Sequence, residues 1–240
     1  MKKNDKEIES YLADTIMERP YGFSVGEQHF FLYPVTLGKM YLLQRQMENL
    51  DINEKSLRMN VSLEVLRLAR EKKDECLTII CYHTCKTKDE VFDAMLMAER
   101  KALFAKEMSD EDIAALMIIV LTTDRTEEVI RHFKIDKEKD KLRIISEVKE
   151  KSDKNSLTFG GNTIYGTFIQ PLIEMGLTYE EIVWQRSYAN LKLLLADKTA
   201  SVYLSEEEMK KIPAWVKTGT KTIKADDPKN KEIIKNSSWK

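Results

Sequence analysis

MGLTYEEIVWQRSYANLKLLLAD, Met175 to Asp197, is the stretch whose reading decides the fold. Thr178-Tyr179-Glu180-Glu181 has the form of a capping box, a hydroxyl followed three positions later by a carboxylate. Gly176 is well placed to terminate a preceding helix over 163–174. The expectation is therefore a helical pair, 163–174 and 178–199, with the second helix continuous. At about 100° per residue, Trp184, Tyr188, Leu191 and Leu195 fall within one narrow arc. Val183, Ser187 and Leu194 widen it, while Ile182 and Leu193 point away. The main arc reads as a core seam, with a partner surface as its alternative. Ile182 and Leu193 form a smaller second face, suited to contact with another chain or lobe. These six residues are the candidate partner-binding set. Aromatic residues with polar tips are favoured at interfaces as well as in cores. Ser187 and Asn190 need partners if buried. Nothing in the run has the form of a reactive centre.

Working outward, residues 5–18 place Ile8, Leu12 and Ile16 at helical spacing. Arg19-Pro20 ends that helix, because the residue before proline avoids helical backbone. In YGFSVGEQHFFLYP, Phe23 and Val25 alternate, Gly26-Glu27 turns, and Phe30 and Leu32 alternate again, which predicts a small β-hairpin. An isolated hairpin is marginal, so it must lie against helices. Helical spacing resumes with Leu37, Met40, Tyr41, Leu43 and Met47, then over about 54–72. DECLTIICYHTC, Asp74 to Cys85, is apolar on most sides and is expected to be buried. Capping boxes at Thr87–Glu90 and Ser109–Asp112 open two more helices, the first running to about Lys106. TEEVIRHF forms a short seventh helix. The predicted fold is mainly α, a helical bundle with a small N-terminal β-hairpin. Its expected organisation is a body over 1–133, a charged linker or exposed helix over 134–156, a C-terminal helical subdomain over 157–216 and a mobile polar tail over 217–240.

Composition bounds the function. At 240 residues the chain can bury a real core, and 8 Gly and 5 Pro are too few for a turn-rich all-β fold. Lys+Arg at 39 balance Asp+Glu at 40, so no global field draws the chain to nucleic acid or an acidic membrane. No run approaches roughly 18 apolar residues, so no transmembrane helix is expected. MKKNDKEIES lacks the apolar region of a secretory signal. The 3 cysteines are too few and too clustered for a disulfide framework, which points to a reducing, cytoplasmic setting.

Cys76, Cys81, His83 and Cys85 are four possible zinc ligands within ten residues. Against zinc, no short C-x2-C pair is present, and on a helix Cys76 and Cys81 diverge by about 140°. Buried thiols in an apolar helix act as small hydrophobes, which is the preferred reading. No nucleophile elbow, zincin, P-loop or dinucleotide motif occurs. Thr158-Phe159-Gly160-Gly161-Asn162 is a turn, with no lysine or arginine following to hold a phosphate. Glu180-Glu181 and Glu206-Glu207-Glu208 sit in helix first turns, where they complement the dipole. No catalytic residue and no cofactor is expected.

Residues 163–197, TIYGTFIQPLIEMGLTYEEIVWQRSYANLKLLLAD, preceded by a hairpin ending FFLYPVTLGKMYLL and a helical body, resemble the tail assembly chaperones of long-tailed bacteriophages and prophages. The resemblance covers about two thirds of the chain in outline. It departs in length, and the helices of 54–133 have no clear counterpart. It implies a non-enzymatic protein that holds the helical tape measure protein, or another tail protein, through apolar helix faces, with self-association into a homo-oligomer as a further expectation. Methionine-rich surfaces suit that task because they repack around different partners. The alternatives are a tail or neck component of the virion, or a zinc-binding regulatory protein on Cys76, Cys81, His83 and Cys85.

Trp184 discriminates core from interface. Its replacement by alanine costs about 3–5 kcal/mol in denaturant unfolding if the side chain is a fully buried core residue. Unchanged stability with lost partner binding makes it an interface residue.

Overall fold

Gly26 and Glu27 reverse the chain between strands β1 (Tyr21–Val25) and β2 (Gln28–Leu32). Only Gly26 takes a positive φ, 57°, as a type II′ hairpin turn requires of its first central residue. The antiparallel register runs from Tyr21↔Leu32 to Val25↔Gln28, so Phe23, Val25, Phe30 and Leu32 share the inner face. That face lies on a helix, as expected: Phe104 meets the Phe30 ring edge-on at 4.9 Å and the Phe23 ring at 6.0 Å.

The computed structural model describes residues 3–152, 161–199 and 202–217. Of the described residues 72% are helical, in 14 helices, and they include one two-stranded hairpin. The fold is thus mainly α with a small hairpin, as the spacing predicted. The helices are α1 (Lys3–Ile16), α2 (Leu37–Asn49), α3 (Glu54–Met59), α4 (Val61–Glu71), α5 (Lys73–Thr84), α6 (Lys88–Phe92), α7 (Ala94–Glu107), α8 (Asp110–Thr122), α9 (Thr126–His132), α10 (Ile135–Ser152), α11 (Gln170–Glu174), α12 (Tyr188–Ala196), α13 (Glu206–Lys211) and α14 (Ala214–Lys217). Two wide π-helical turns, Tyr165–Ile169 and Glu181–Gln185, precede α11 and α12.

Several predicted helices are divided, each at a capping side chain. The segment 54–72 breaks at Asn60, whose Oδ1 accepts from Leu63 N at 3.1 Å to start α4. The helix expected from Thr87 to about Lys106 breaks at Asp93, whose Oδ1 accepts from Met95 N and Leu96 N at 3.0 Å each. Short polar side chains of this kind offer the backbone an alternative to the helix ladder. The box at Ser109–Asp112 forms as predicted and opens α8.

The described residues fall into two compact units, Met1–Asp136 with Phe159–Thr199, and Lys137–Thr158 with Ala200–Lys240. In the first, α5 is buried on nearly every side, as its composition predicted. Around it lie the hairpin, α2, α4, α7 and α8, and the main core joins Leu43, Leu50, Leu68, Ile79, Ile80, Ile113 and Met117. A second cluster joins Leu37 of α2 to Phe168, Leu172, Ile182 and Leu191. A third joins Ile8 of α1 to Val129, Ile130, Ile135, Leu193 and Ala196. In the second unit, the charged stretch after residue 136 is helical, with ion pairs Lys141–Glu138 at 2.8 Å and Arg143–Asp140 at 3.6 Å, and Ser205 and Glu208 form a capping box on α13.

This arrangement corrects the expected domain boundaries. Residues 157–216 are not one C-terminal subdomain, because Phe159–Thr199 share the unit of Met1–Asp136. The physical reason is Leu37, whose cover is supplied by residues 168–191. The tail expected over 217–240 lies outside the described residues beyond Lys217, as do residues 158–160 of the predicted turn.

Gly38 sits in the first turn of α2 against Trp184. A Cβ there would stand 2.6 Å from ring carbon Cζ3. Helix propensity alone predicts that Gly38→Ala stabilises by about 0.5–1 kcal/mol. The overlap reverses that sign, so the variant is expected to lose about 1–3 kcal/mol in urea unfolding.

Candidate functional site

The run from Met175 to Asp197 is not one helix. Gly176, at φ 97°, ends α11, and Leu177 N donates to Leu172 O at 3.2 Å, as the glycine predicted. The Thr178–Glu181 box then forms, with Glu181 Oε2 accepting from Thr178 N at 2.9 Å. The turn widens through Glu181–Gln185, closed by Arg186 N donating to Glu181 O at 2.8 Å. At Arg186 and Ser187 the chain becomes extended, with ψ 142° and 143°. Ser187 restarts α12 by accepting from Asn190 N at 3.2 Å. Although the helix is interrupted there, Trp184, Tyr188, Leu191 and Leu195 all join the second cluster, Leu191 buried and the other three packed against it.

The six candidate residues part company. Ile182 and Leu191 are buried in the second cluster, and Leu193 in the third, beside α1 and α9. The second face ascribed to Ile182 and Leu193 is thus covered by this chain's own residues. Tyr188 is half-buried and stacks on Phe168 at 5.2 Å. Leu195 is half-buried against the second cluster. Trp184 alone opens onto a cleft. Because it is only half-buried, Trp184→Ala should cost less than the fully buried case considered from sequence.

Ser187 and Asn190 have the partners their burial requires. The Glu18 carboxylate accepts from Ser187 N at 2.9 Å and from Asn190 Nδ2 at 3.1 Å. Glu18 itself takes φ 50°, a left-handed conformation uncommon for a side chain of its kind.

Cys76, Cys81, His83 and Cys85 are all buried in or beside α5. Burial pushes the Cys76 and Cys81 thiols up to about 12. Cys85 is also raised by burial, and its Sγ donates to Cys81 O at 3.4 Å. Burial, and then the Lys39 charge, lower His83 to about 4. Thiols so hard to ionise pack as small hydrophobes rather than as ready metal ligands.

The cleft has a volume of about 690 Å³, with Tyr33, Thr36, Lys39, Lys88, Trp184 and Ser187 in its lining. Lys39 is only 2% exposed. Its ammonium donates to Cys85 O at 2.7 Å and lies 6.0 Å from the Tyr33 ring centroid. Burial lowers it to about 8, opposed by Cys85 and Glu90. Lys88 Nζ stands 5.8 Å over the Trp184 ring, and Trp184 meets Phe92 edge-on at 5.6 Å.

On the other side of Phe92 lies a shallow groove of about 370 Å³. Tyr82 of α5, Val91 and Phe92 of α6, and Ala94, Met97 and Ala98 of α7 line it, with Thr78 and Lys101 at its polar edge. Phe92 is 60% exposed, and Met95 on α7 is 75% exposed. The break at Asp93 turns these apolar residues outward.

Lys39 and Phe92 carry the two concavities, and neither stands out in the sequence. A lysine beside an apolar stripe normally keeps its head in water. Asp93 ahead of an apolar run is an N-cap signal that points to the kink exposing Phe92.

His83 provides a pH test. Its folded pKa lies below the unfolded value near 6.5, so its contribution is present above pH 6.5 and lost as pH falls toward 4. His83→Gln should remove that loss. The stability difference between wild type and variant should change by about 3 kcal/mol between pH 7 and pH 4 in chemical denaturation.

Among the described residues no helix is long and apolar enough to cross a membrane. No protein-family model matches this chain, and neither a curated protein nor a solved structure does.

Proposed function

We propose that this protein is a non-enzymatic helix-binding protein of the tail assembly chaperone kind, which holds the tape measure protein of a long-tailed bacteriophage or prophage in the host cytoplasm while the tail assembles. The observation that carries the reading is the groove between α5, α6 and α7. Its lining is aromatic, aliphatic and thioether, with Phe92 and Ala98 open to solvent. An amphipathic helix binds by laying its apolar face into such a groove, anchored at positions one turn apart. The Met97 thioether can repack around different anchors, which a long and varied helical client demands. Lys101 at the edge is paired with Asp74 at 2.7 Å, which gives the groove a polar rim.

The test is co-expression with the protein encoded by the next large downstream gene, followed by pull-down and light scattering. Capture of a long helical protein with its solubility rescued supports the reading. Ala98→Glu places a charge in the groove at an exposed helical position, so it should leave the thermal midpoint within about 1–2 °C while abolishing capture. Capture undiminished in Ala98→Glu removes the groove from the mechanism. Stable incorporation of the chain into particles identifies a virion component instead.

A further inference from the structure

We propose that the cleft between the first turn of α2 and the Trp184 turn is a binding site for a small organic anion, a phosphate or carboxylate on a flat apolar body, with Lys39 as its counter-ion.

Lys39 stands where a cation is least favoured. It is 2% exposed, and the protein atom within hydrogen-bond reach of its ammonium is the neutral carbonyl of Cys85. Among the described residues no carboxylate forms an ion pair with it. Buried charges are ordinarily paired, because desolvating an ammonium costs several kcal/mol that a single carbonyl does not return. Its place in α2 adds to the cost. Lys39 occupies the first turn, at the positive end of the helix dipole, and that turn holds no acidic residue. Of the carboxylates that line the cleft, Asp89 and Glu180 are exposed to solvent, and none of the three, Glu18 included, pairs with Lys39. Glu18 is held by Ser187 and Asn190, and Glu90 accepts from Lys86 N at 2.7 Å. The Lys39 ammonium nevertheless retains its charge at neutral pH. An anion in the cleft supplies what the protein leaves missing.

The rest of the lining matches such a ligand. Lys86 and Lys88 add two exposed positive charges beside the exposed carboxylates of Asp89 and Glu180, so the buried Lys39 is the charge that water does not reach. The Thr36 and Thr87 hydroxyls accept from the helix amides of Lys39 and Glu90, which leaves their protons to donate. Trp184, Tyr33 and Pro34 offer apolar walls for a ring. Small-ligand sites combine an apolar wall with a few convergent polar groups in this way. This site is separate from the helix-binding groove, so it stands or falls independently of the proposed function.

Isothermal titration calorimetry with phenyl phosphate, benzoate and the neutral analogue phenol tests the site. Saturable one-to-one binding of phenyl phosphate or of benzoate, and not of phenol, is expected. Whichever acid binds more tightly identifies the headgroup. Lys39→Met should weaken binding about tenfold or more, because it removes the buried charge itself. The double variant Lys86→Gln/Lys88→Gln should weaken it severalfold. Absence of saturable binding by either acid overturns the proposal, and so does binding by phenol of equal strength. Affinity retained in Lys39→Met overturns it as well. If Lys39→Met does not fold, affinity retained in the double variant, whose sites are exposed, overturns it instead.

Discussion

The first unit depends on one short crossing of extended backbone. Thr36 and Ser187 face each other as an antiparallel bridge, and Tyr188 N donates to Val35 O at 2.7 Å. Each of the two residues is also a helix N-cap, Thr36 for α2 and Ser187 for α12. The bridge therefore fixes two helix starts against one another across about 150 residues of sequence. The Glu18 carboxylate adds the end of the first helical segment to the same point. From there Leu37 and Leu191 enter the second cluster, while Leu193 and Ala196 enter the third. A nine-residue helix with both sides buried could not hold this position by propensity alone. Tertiary contacts hold it.

The same crossing creates both concavities. The wide turn before it tilts Trp184 over Gly38 and toward Phe92. The Phe92–Trp184 pair then forms a ridge. One side is charged and holds a buried lysine; the other is apolar and shallow. These surfaces suit different ligands, because an unpaired ammonium calls for an anion and exposed aliphatic area calls for apolar cover. Two binding chemistries can therefore sit side by side without sharing a residue.

Polar side chains inside apolar helical patterns set the course of the chain. Asn60, Asp93 and Ser187 each cap a new helix where periodicity alone runs through. The cost of breaking a helix is offset at each place by backbone amides that donate to the side-chain oxygen. At Asp93 the result is exposure of Phe92, so a capping choice becomes a surface property. At Ser187 the result is an extended step between the turn that carries Trp184 and the helix that carries Leu191 and Leu195.

The sequence by itself determined the local features: the hairpin with glycine leading its turn, the caps at Ser109 and Thr178, the glycine stop at Gly176, and the all-round apolar character of α5. These are legible because each is decided by interactions within about four residues, whose spacing is printed in the chain. Only the tertiary structure decided that Ile182 and Leu193 are covered, that Phe159–Thr199 belong with the N-terminal body, and that Lys39 is buried with no ion pair among the described residues. Those outcomes rest on contacts between residues far apart in the chain, from 46 positions for Lys39 and Cys85 to well over a hundred for Ile182 and Leu37. A helical wheel can say which residues share a face, but what covers that face depends on where the rest of the chain goes.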